Sequence, residues 1–144
     1  MALQPQHVGT YLDRTVKLIK QRYLRAFREN GSNLSTEQWV ILDLLFKKDG
    51  ISQTELANDS YKNAPTVSRI IDLLAEKGYI ERRRFPNDRR RYRIHLTAAG
   101  RELYETLLPA VQDLREQTWA GLSHEDYQEL TRILDQVMNN FLEE

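Results

Sequence analysis

An unusual density of arginine marks one short segment of the chain. Between positions 81 and 93 there are seven arginines and only two acidic residues, Glu81 and Asp88, so the segment has a net charge of +5. Guanidinium groups bind phosphate through charge-assisted hydrogen bonds, and the pattern is therefore typical of a surface that binds nucleic acid. A run of arginines is also compatible with an ordinary solvated face, and for residues 82–84 by themselves both interpretations stay open.

The charges of the whole chain cancel, but they are unevenly distributed. The 144 residues include 21 basic and 21 acidic side chains. The net charge is +3 over residues 1–51, +4 over residues 52–97 and −7 over residues 98–144. This asymmetry is expected when one part of a protein meets phosphate and another part does not.

The sequence offers little for catalysis or metal binding. There is no cysteine, and the three histidines, His7, His95 and His124, lie far apart without metal-ligand spacing. We find no nucleophile with a matching base and no glycine-rich phosphate loop, so we expect no enzyme, no cofactor and no bound metal. The absence of a signal peptide, of an eighteen-residue apolar stretch and of cysteine predicts a cytoplasmic protein without membrane contact.

Apolar residues at three- and four-residue steps predict a mainly helical chain. A first helix is expected over about residues 8–29, and Asn30-Gly31 ends it. Five further helices are expected to begin at residues with good N-cap side chains, which are Ser35, Ser52, Asn63, Thr97 and Ser123. Three of these form predicted capping boxes, namely Ser35 with Gln38, Ser52 with Glu55 and Ser123 with Asp126.

Between the fourth and fifth helices the apolar period changes to two. Residues 79–84 and 91–96 are predicted strands, joined by a turn at residues 85–88. On the second strand Tyr92, Ile94 and Leu96 lie on one face, and Arg91, Arg93 and His95 lie on the other. The hairpin therefore carries the arginine cluster, and His95 is interpreted as a surface residue.

Two short helices with a tight connection, followed by a hairpin, describe a winged helix-turn-helix. We predict a mainly α-helical α+β fold, with a single domain over residues 1–144 and the winged helix-turn-helix, the DNA-binding part, over residues 34–97. The amphipathic helices of residues 1–30 and 98–144 lie outside this part and need an apolar partner, so they are predicted dimerisation helices.

The predicted DNA contacts lie on the fourth helix and on the hairpin. The start of the helix, opposite its buried stripe, reaches base edges in the major groove. Arg89 and Arg90 suit a narrow minor groove, and Asp88 is expected to pair with a nearby arginine and hold the tip in shape. The candidate contacts are Lys62, Asn63, Pro65, Thr66, Ser68, Arg69, Arg84, Asp88, Arg89, Arg90 and Arg91.

The chain resembles the MarR family of multiple-antibiotic-resistance regulators over essentially its whole length. The motifs that carry the resemblance are LSTEQW at 34–39, TVSRIIDLL at 66–74, KGYI at 77–80, PNDRR at 86–90 and LTAAG at 96–100. The resemblance implies a homodimer with interlocking terminal helices, and DNA contacts at Pro65, Thr66, Ser68, Arg69, Asp88, Arg89 and Arg90. One departure is Ala64-Pro65, which stands where the family usually has polar or basic residues.

The function that this resemblance implies is a transcriptional regulator, a repressor or less often an activator, that binds a near-palindromic duplex operator as a homodimer. It also implies a small anionic or phenolic effector, bound between the dimerisation and DNA-binding parts. A pocket there would involve Tyr11, Trp39 or Tyr104, although Trp39 is more simply a core residue. The alternative is a winged-helix protein-interaction module, whose arginine hairpin docks on an acidic partner without sequence-specific DNA binding.

Overall fold

The computed structural model describes residues 7–60 and 62–142. The described residues form six helices and a three-stranded antiparallel sheet with the strand order β1-β3-β2. The helices are α1 (Val8–Glu29), α2 (Thr36–Lys47), α3 (Gln53–Asp59), α4 (Ala64–Glu76), α5 (Ala98–Thr118) and α6 (His124–Leu142). The strands are β1 (Ile51–Ser52), β2 (Ile80–Phe85) and β3 (Asp88–Leu96). The predicted mainly helical α+β class is confirmed. The predicted dimerisation segments also include residues 1–6 and 143–144, which lie outside the described residues.

Side-chain caps begin α2 and α4 where the sequence predicts them. The Ser35 hydroxyl accepts a hydrogen bond from the Gln38 N–H at 3.1 Å, and the Gln38 side chain accepts one from the Ser35 N–H at 3.0 Å. The Asn63 side chain accepts a hydrogen bond from the Thr66 N–H at 2.9 Å. Pro65 then fits the first turn of α4, where a missing N–H costs little.

The capping box predicted at α3 is only half correct. The Ser52 hydroxyl accepts a hydrogen bond from the Glu55 N–H at 3.1 Å, as expected. The Glu55 carboxylate, however, lies 3.3 Å from the Lys48 ammonium group and does not return to the Ser52 backbone. A charged ammonium group is a stronger donor to a carboxylate than a neutral N–H, which explains the difference.

The second strand of the hairpin is longer than the predicted strand 91–96, and the first is displaced by one residue from the predicted strand 79–84. A register shift next to Phe85 lets this residue pair with Asp88. Phe85 and Asp88 therefore flank the two central turn residues, Pro86 and Asn87, so the predicted turn at 85–88 is confirmed, and the second strand begins three residues earlier than predicted. The residue types around the turn gave no sign of this, because the shift depends on how the two strands pair.

Strand β1 was not predicted from the sequence. Ile51 pairs with Ile94, and Ser52 pairs with Arg93, in antiparallel register. Two residues are too few to show the alternation that identifies a strand. The strand extends the hairpin to a three-stranded sheet and connects it to the end of α2.

The chain divides into two compact units, the first ending at Val111 and the second beginning at Gln112. The apolar stripes predicted for α2 and α4 form much of the core of the first unit. Its large side chains with relative exposure below 2% are Phe27, Leu34, Ile41, Leu42, Leu45, Leu56, Val67, Ile71, Leu74, Ile94, Leu107 and Val111. Trp39 is 3% exposed, so its interpretation as a core residue is confirmed.

The start of α5 packs tightly on the chain just before β2. The Thr97 hydroxyl donates to the Gly78 carbonyl at 2.6 Å and accepts from the Gly100 N–H at 3.1 Å. A Cβ atom on Gly100 would lie 2.0 Å from the carbonyl oxygen of Tyr79. Residue 100 must therefore be glycine for the helix to approach this closely.

The second unit contains the end of α5 and all of α6. The predicted capping box at α6 is confirmed, because Ser123 and Asp126 each accept a hydrogen bond from the other's backbone N–H. Trp119 packs edge to face against Tyr127, with ring centroids 5.1 Å apart. Helix α6 buries none of its residues. None of the helices in the described part of the chain is long and apolar enough to cross a membrane.

Candidate nucleic-acid interface

The first two turns of α4 leave one face uncovered. Val67, Ile70, Ile71 and Leu74 are buried in the core, which fixes the opposite face toward solvent. The exposed or half-buried residues of that region are Ala64, Pro65, Thr66, Ser68 and Arg69. Backbone N–H groups at a helix start attract anions, and a single helix fits the major groove of B-DNA. This end of α4 therefore suits contact with duplex DNA.

A cleft of about 640 Å³ separates the starts of α3 and α4 from the hairpin. Its lining residues are Ser52, Gln53, Thr54, Ala57, Asn58, Lys62, Asn63, Ala64, Ser68, Arg82, Arg90, Arg91 and Tyr92. Four of these side chains are basic, and none of these described lining residues is acidic. The cleft is thus a polar surface with a strong preference for anions.

The structure brings together part of the predicted contact set. The predicted residues that line the cleft are Lys62, Asn63, Ser68, Arg90 and Arg91. The predicted residues outside it are Pro65, Thr66 and Arg69 on α4, and Arg84, Asp88 and Arg89 on the hairpin. The sequence interpretation missed the polar residues of α3, such as Gln53 and Asn58. The cap at Ser52 located this helix but gave no sign that it borders the hairpin.

Some arginines of the hairpin stack on an aromatic ring, and others form ion pairs. The guanidinium carbons of Arg91 and Arg93 lie 4.4 and 4.7 Å from the ring centroid of Phe85. A cation–π contact orients a guanidinium group without neutralising its charge. Arg83, in contrast, forms an ion pair with Glu81. Residues 91 and 93 thus keep their full charge, whereas that of residue 83 is partly offset.

Asp88 holds the tip in shape, but not in the predicted way. Its Oδ1 atom accepts a hydrogen bond from the backbone N–H of Arg90 at 2.9 Å. The expected pairing with an arginine side chain is therefore wrong. An aspartate commonly bonds to the backbone two residues further on in a turn. This leaves the Arg90 guanidinium group available to the cleft.

Asp49, in the turn after α2, fixes the base of the hairpin. Its Oδ1 atom accepts a hydrogen bond from the Leu96 N–H at 2.8 Å, and its Oδ2 atom lies 3.3 Å from Nδ1 of His95. His95 is half-buried, so its interpretation as a simple surface residue is wrong. The strand pattern gave no sign of this partner, because Asp49 lies 46 residues earlier in the chain.

The three residues of the predicted effector pocket lie in different surroundings. Trp39 stacks on Tyr104 with ring centroids 4.7 Å apart, and Tyr104 also stacks on Phe46. The Tyr104 hydroxyl donates to Asp43 at 2.6 Å, and the Tyr104 side chain is buried. Tyr11 is 40% exposed on α1. Two of the three residues are therefore packed rings of the core, and their part in effector binding stays a prediction.

The Glu37 carboxylate offsets part of the positive charge of Lys20 and Lys62. Burial raises the pKa of Glu37, but the hydrogen bond from Lys20, a backbone hydrogen bond and the charges of Lys20 and Lys62 together lower this pKa below its ordinary value of 4.5. The Lys20 ammonium nitrogen lies 3.0 Å from the Glu37 carboxylate. Glu37 is therefore ionised at neutral pH and connects α1 to α2.

Comparison with known proteins identifies the family. A sequence model of the MarR family matches residues 34–92. The chain is 30% identical over 112 residues to the uncharacterised HTH-type transcriptional regulator YdgJ of Bacillus subtilis (strain 168), and the match covers 78% of this chain and 68% of YdgJ. The chain belongs to the MarR family.

Other relatives and solved structures agree with this membership. The HTH-type transcriptional repressor YetL of Bacillus subtilis is 38% identical over 81 residues, which span 55% of this MarR-family chain and 48% of YetL. The S. aureus MepR–DNA complex is 25% identical, with a TM-score of 0.78 and 91% and 96% of the two chains covered. Bordetella bronchiseptica BpsR, whose DNA binding is regulated by 6-hydroxynicotinic acid, shares the fold at 22% identity, with a TM-score of 0.80 and 96% and 98% covered.

This MarR-family protein is a DNA-binding transcriptional regulator, as the sequence predicts. Its α3 and α4 form the helix-turn-helix, with α4 as the recognition helix, and the β2–β3 hairpin is the wing. The helix-turn-helix and the wing form the two sides of the cleft.

Proposed function

We propose that the protein is a repressor that binds a near-palindromic operator as a homodimer and releases it when a small anionic or phenolic molecule binds. The observation that carries this proposal is the cleft between recognition helix and wing, with its four basic and no acidic lining residues among those described. Neutralising phosphates supplies much of the affinity for DNA. The sign of regulation is supported by the relative YetL, which is a transcriptional repressor.

The exposed apolar stripes of α1 and α6 support the homodimer. They comprise Val8, Tyr11, Leu12, Val16 and Ile19 on α1, and Tyr127, Leu130, Ile133, Val137, Met138 and Phe141 on α6, each at least 36% exposed. Apolar surface of this kind is typical of protein interfaces. A two-fold dimer presents two recognition helices about 34 Å apart, one turn of the double helix.

Each proposed DNA contact follows from the chemistry of its side chain. Arg69 would bind guanine or phosphate, and Thr66 and Ser68 would hydrogen-bond to bases or backbone. Ala64 and Pro65 are exposed apolar groups suited to thymine methyl groups. The proposed wing and cleft contacts to phosphate or the minor groove are Lys62, Asn63, Arg84, Arg89, Arg90 and Arg91, with Asp88 shaping the tip.

The effector is proposed from the family rather than from a cavity of this chain. In BpsR, 6-hydroxynicotinic acid regulates DNA binding. An effector that prefers a dimer with the wrong helix spacing would lower operator affinity by shifting the population toward that dimer. Tyr11, Trp39 and Tyr104 are the proposed contacts. We propose no enzymatic activity, and we propose the cytoplasm, where operator DNA lies, as the place of action.

Selection of bound sequences from random duplex DNA tests this function. We expect enrichment of a near-palindrome whose half-sites are one helical turn apart. With about six phosphates contacted, the logarithm of affinity against the logarithm of salt concentration should have a slope of about −5. If no sequence is enriched and the affinity for DNA does not depend on salt concentration, the proposal is contradicted.

The same binding assay separates DNA from an acidic protein partner. If the wing docks on a protein, nonspecific duplex DNA should fail to compete for that partner. If DNA is the target, unlabelled operator should displace labelled operator far better than unrelated duplex of equal length.

A further inference from the structure

An ion pair joins the wing to the recognition helix. The Arg82 guanidinium group on β2 donates to the carboxylate of Asp72 on α4. We infer that Asp72 and Arg82 are positioning residues, which fix the wing relative to the recognition helix and so raise operator affinity without contacting DNA themselves. This inference rests on the proposed function and adds to it how the two DNA-reading elements are held in register.

The pair lies where the hairpin leaves the core. Ile80 and Ile94 are buried, and Ile94 is the register partner of Arg82. From residue 83 to residue 91 the hairpin is exposed or half-buried. The Arg82 side chain is 27% exposed, so its stem covers the edge of the core while its charged end reaches Asp72.

A small rotation at this point would move the tip a long way. From Arg82 to the turn at Pro86 the strand rises by about 13 Å, at about 3.3 Å per residue. A rotation of about 10° at Arg82 would therefore displace the tip by about 2 Å, which is enough to break a hydrogen bond that the wing makes. Holding Arg82 against α4 limits this motion.

A direct phosphate contact by Arg82 is the competing explanation, because Arg82 also lines the cleft. Among the described ion pairs, however, none involves Arg90 or Arg91, the two other arginines of the cleft, whereas Arg82 is paired with Asp72. A carboxylate in contact with a guanidinium group weakens the attraction of that group for phosphate. The pairing therefore favours a positioning role for Arg82.

The substitution Asp72→Asn distinguishes the two roles by the direction of its effect. It removes a negative charge, so electrostatics alone would tighten DNA binding. If the pair positions the wing, operator affinity should instead fall about three- to tenfold, with an unchanged salt slope. Glu76→Gln is the matched control, because it removes the same charge from an exposed position of α4. Its affinity should stay the same or rise slightly.

A charge swap provides the second test. Asp72→Arg and Arg82→Asp should each weaken operator binding at least tenfold, because like charges then face each other. The double variant restores both the pair and the net charge, and we expect its affinity to return to within about threefold of the wild type. Thermal unfolding of all variants verifies that they fold. Hydrogen exchange of the wing amides should accelerate in Asp72→Asn and slow again in the double variant.

Unchanged or tighter operator binding by Asp72→Asn would overturn the inference. So would a folded double variant that fails to recover affinity. If the wild-type protein selects no DNA sequence, the proposed function fails instead. Hydrogen exchange then still decides whether the pair orders the wing, because this measurement needs no DNA.

Discussion

The winged part and the helices α1 and α6 both show amphipathic periodicity, but they differ in what covers the apolar side. In α2 and α4 the stripe is covered by the same chain, and Ile41 and Ile71 are fully buried. In α1 and α6 much of the stripe is open, with Val16 46% and Leu130 42% exposed. The same periodicity therefore marks a core in one region and a surface available to a second chain in the other.

The two regions also differ in charge. Residues 52–97 carry a net charge of +4 and residues 98–144 one of −7. Phosphate attracts the first region and repels the second. A change of the same chemical type should therefore have different consequences in the two regions.

The largest effect is expected from a charge in the α6 stripe. Leu130→Asp should weaken the dimer more than about 100-fold and abolish operator binding, because a carboxylate would be buried against apolar side chains. Gln128→Asp, at an exposed position of the same helix, should leave the dimer intact. Analytical ultracentrifugation measures the dissociation constant of the dimer for each variant. A Leu130→Asp protein that keeps the wild-type dissociation constant would remove the distinction between core and interface stripes.

Adding one methyl group should have opposite effects at a position packed against the core and at an open position. Gly100→Ala should destabilise the protein by about 2–3 kcal/mol, because its Cβ atom would lie 2.0 Å from the Tyr79 carbonyl oxygen. Gly9→Ala has open space around its Cβ atom and lies within α1, so it should be neutral or stabilising. Urea unfolding provides the two free energies. Equal stability of the two variants would show that the packing at Gly100 is not as close as described.

Removing one arginine should weaken DNA binding only in the basic region. Arg90→Ala should lower operator affinity roughly tenfold and make the salt slope shallower by about 2, one phosphate contact for each protomer. Arg132→Ala in α6 removes the same charge, but it should leave the operator affinity and the salt slope nearly unchanged. Fluorescence anisotropy over a salt series measures them. The same shallower slope for both variants would mean that only the total charge matters.

The smallest effect concerns the ion pair between α1 and α2. The pKa of Glu37 is lower in the folded protein than its ordinary value of 4.5, so the pair stabilises the fold above pH 4.5 and is lost as the pH falls through the lowered value. Glu37→Gln should therefore cost less than about 1 kcal/mol at pH 7, and the difference from the wild type should vanish at low pH.

Urea unfolding between pH 3 and pH 7 measures this dependence. Glu129→Gln is the control, since Glu129 also has a lowered pKa through its hydrogen bond with Arg132 but is fully exposed. We expect the free energy of unfolding of the Glu129→Gln variant to equal that of the wild type at every pH. A Glu37→Gln penalty that is independent of pH would show that packing, and not charge, is what the substitution removes.

The sequence by itself determined the features that depend on near neighbours. Ser35 with Gln38, and Asn63 with Thr66, fix helix starts through contacts three residues apart. The periodicities predicted six helices and the hairpin, and the arginine cluster predicted that the wing is a region that meets phosphate. Such interactions are encoded within a few residues, so the amino-acid order specifies them directly.

Only the tertiary structure decided which distant residues meet. It paired Asp49 with His95, added β1 to the sheet, lengthened the second wing strand and brought Arg82 to Asp72. It also stacked the Trp39 ring on the Tyr104 ring and buried both side chains. These contacts depend on the register and approach of separate elements, which the chain acquires only when its apolar faces pack together.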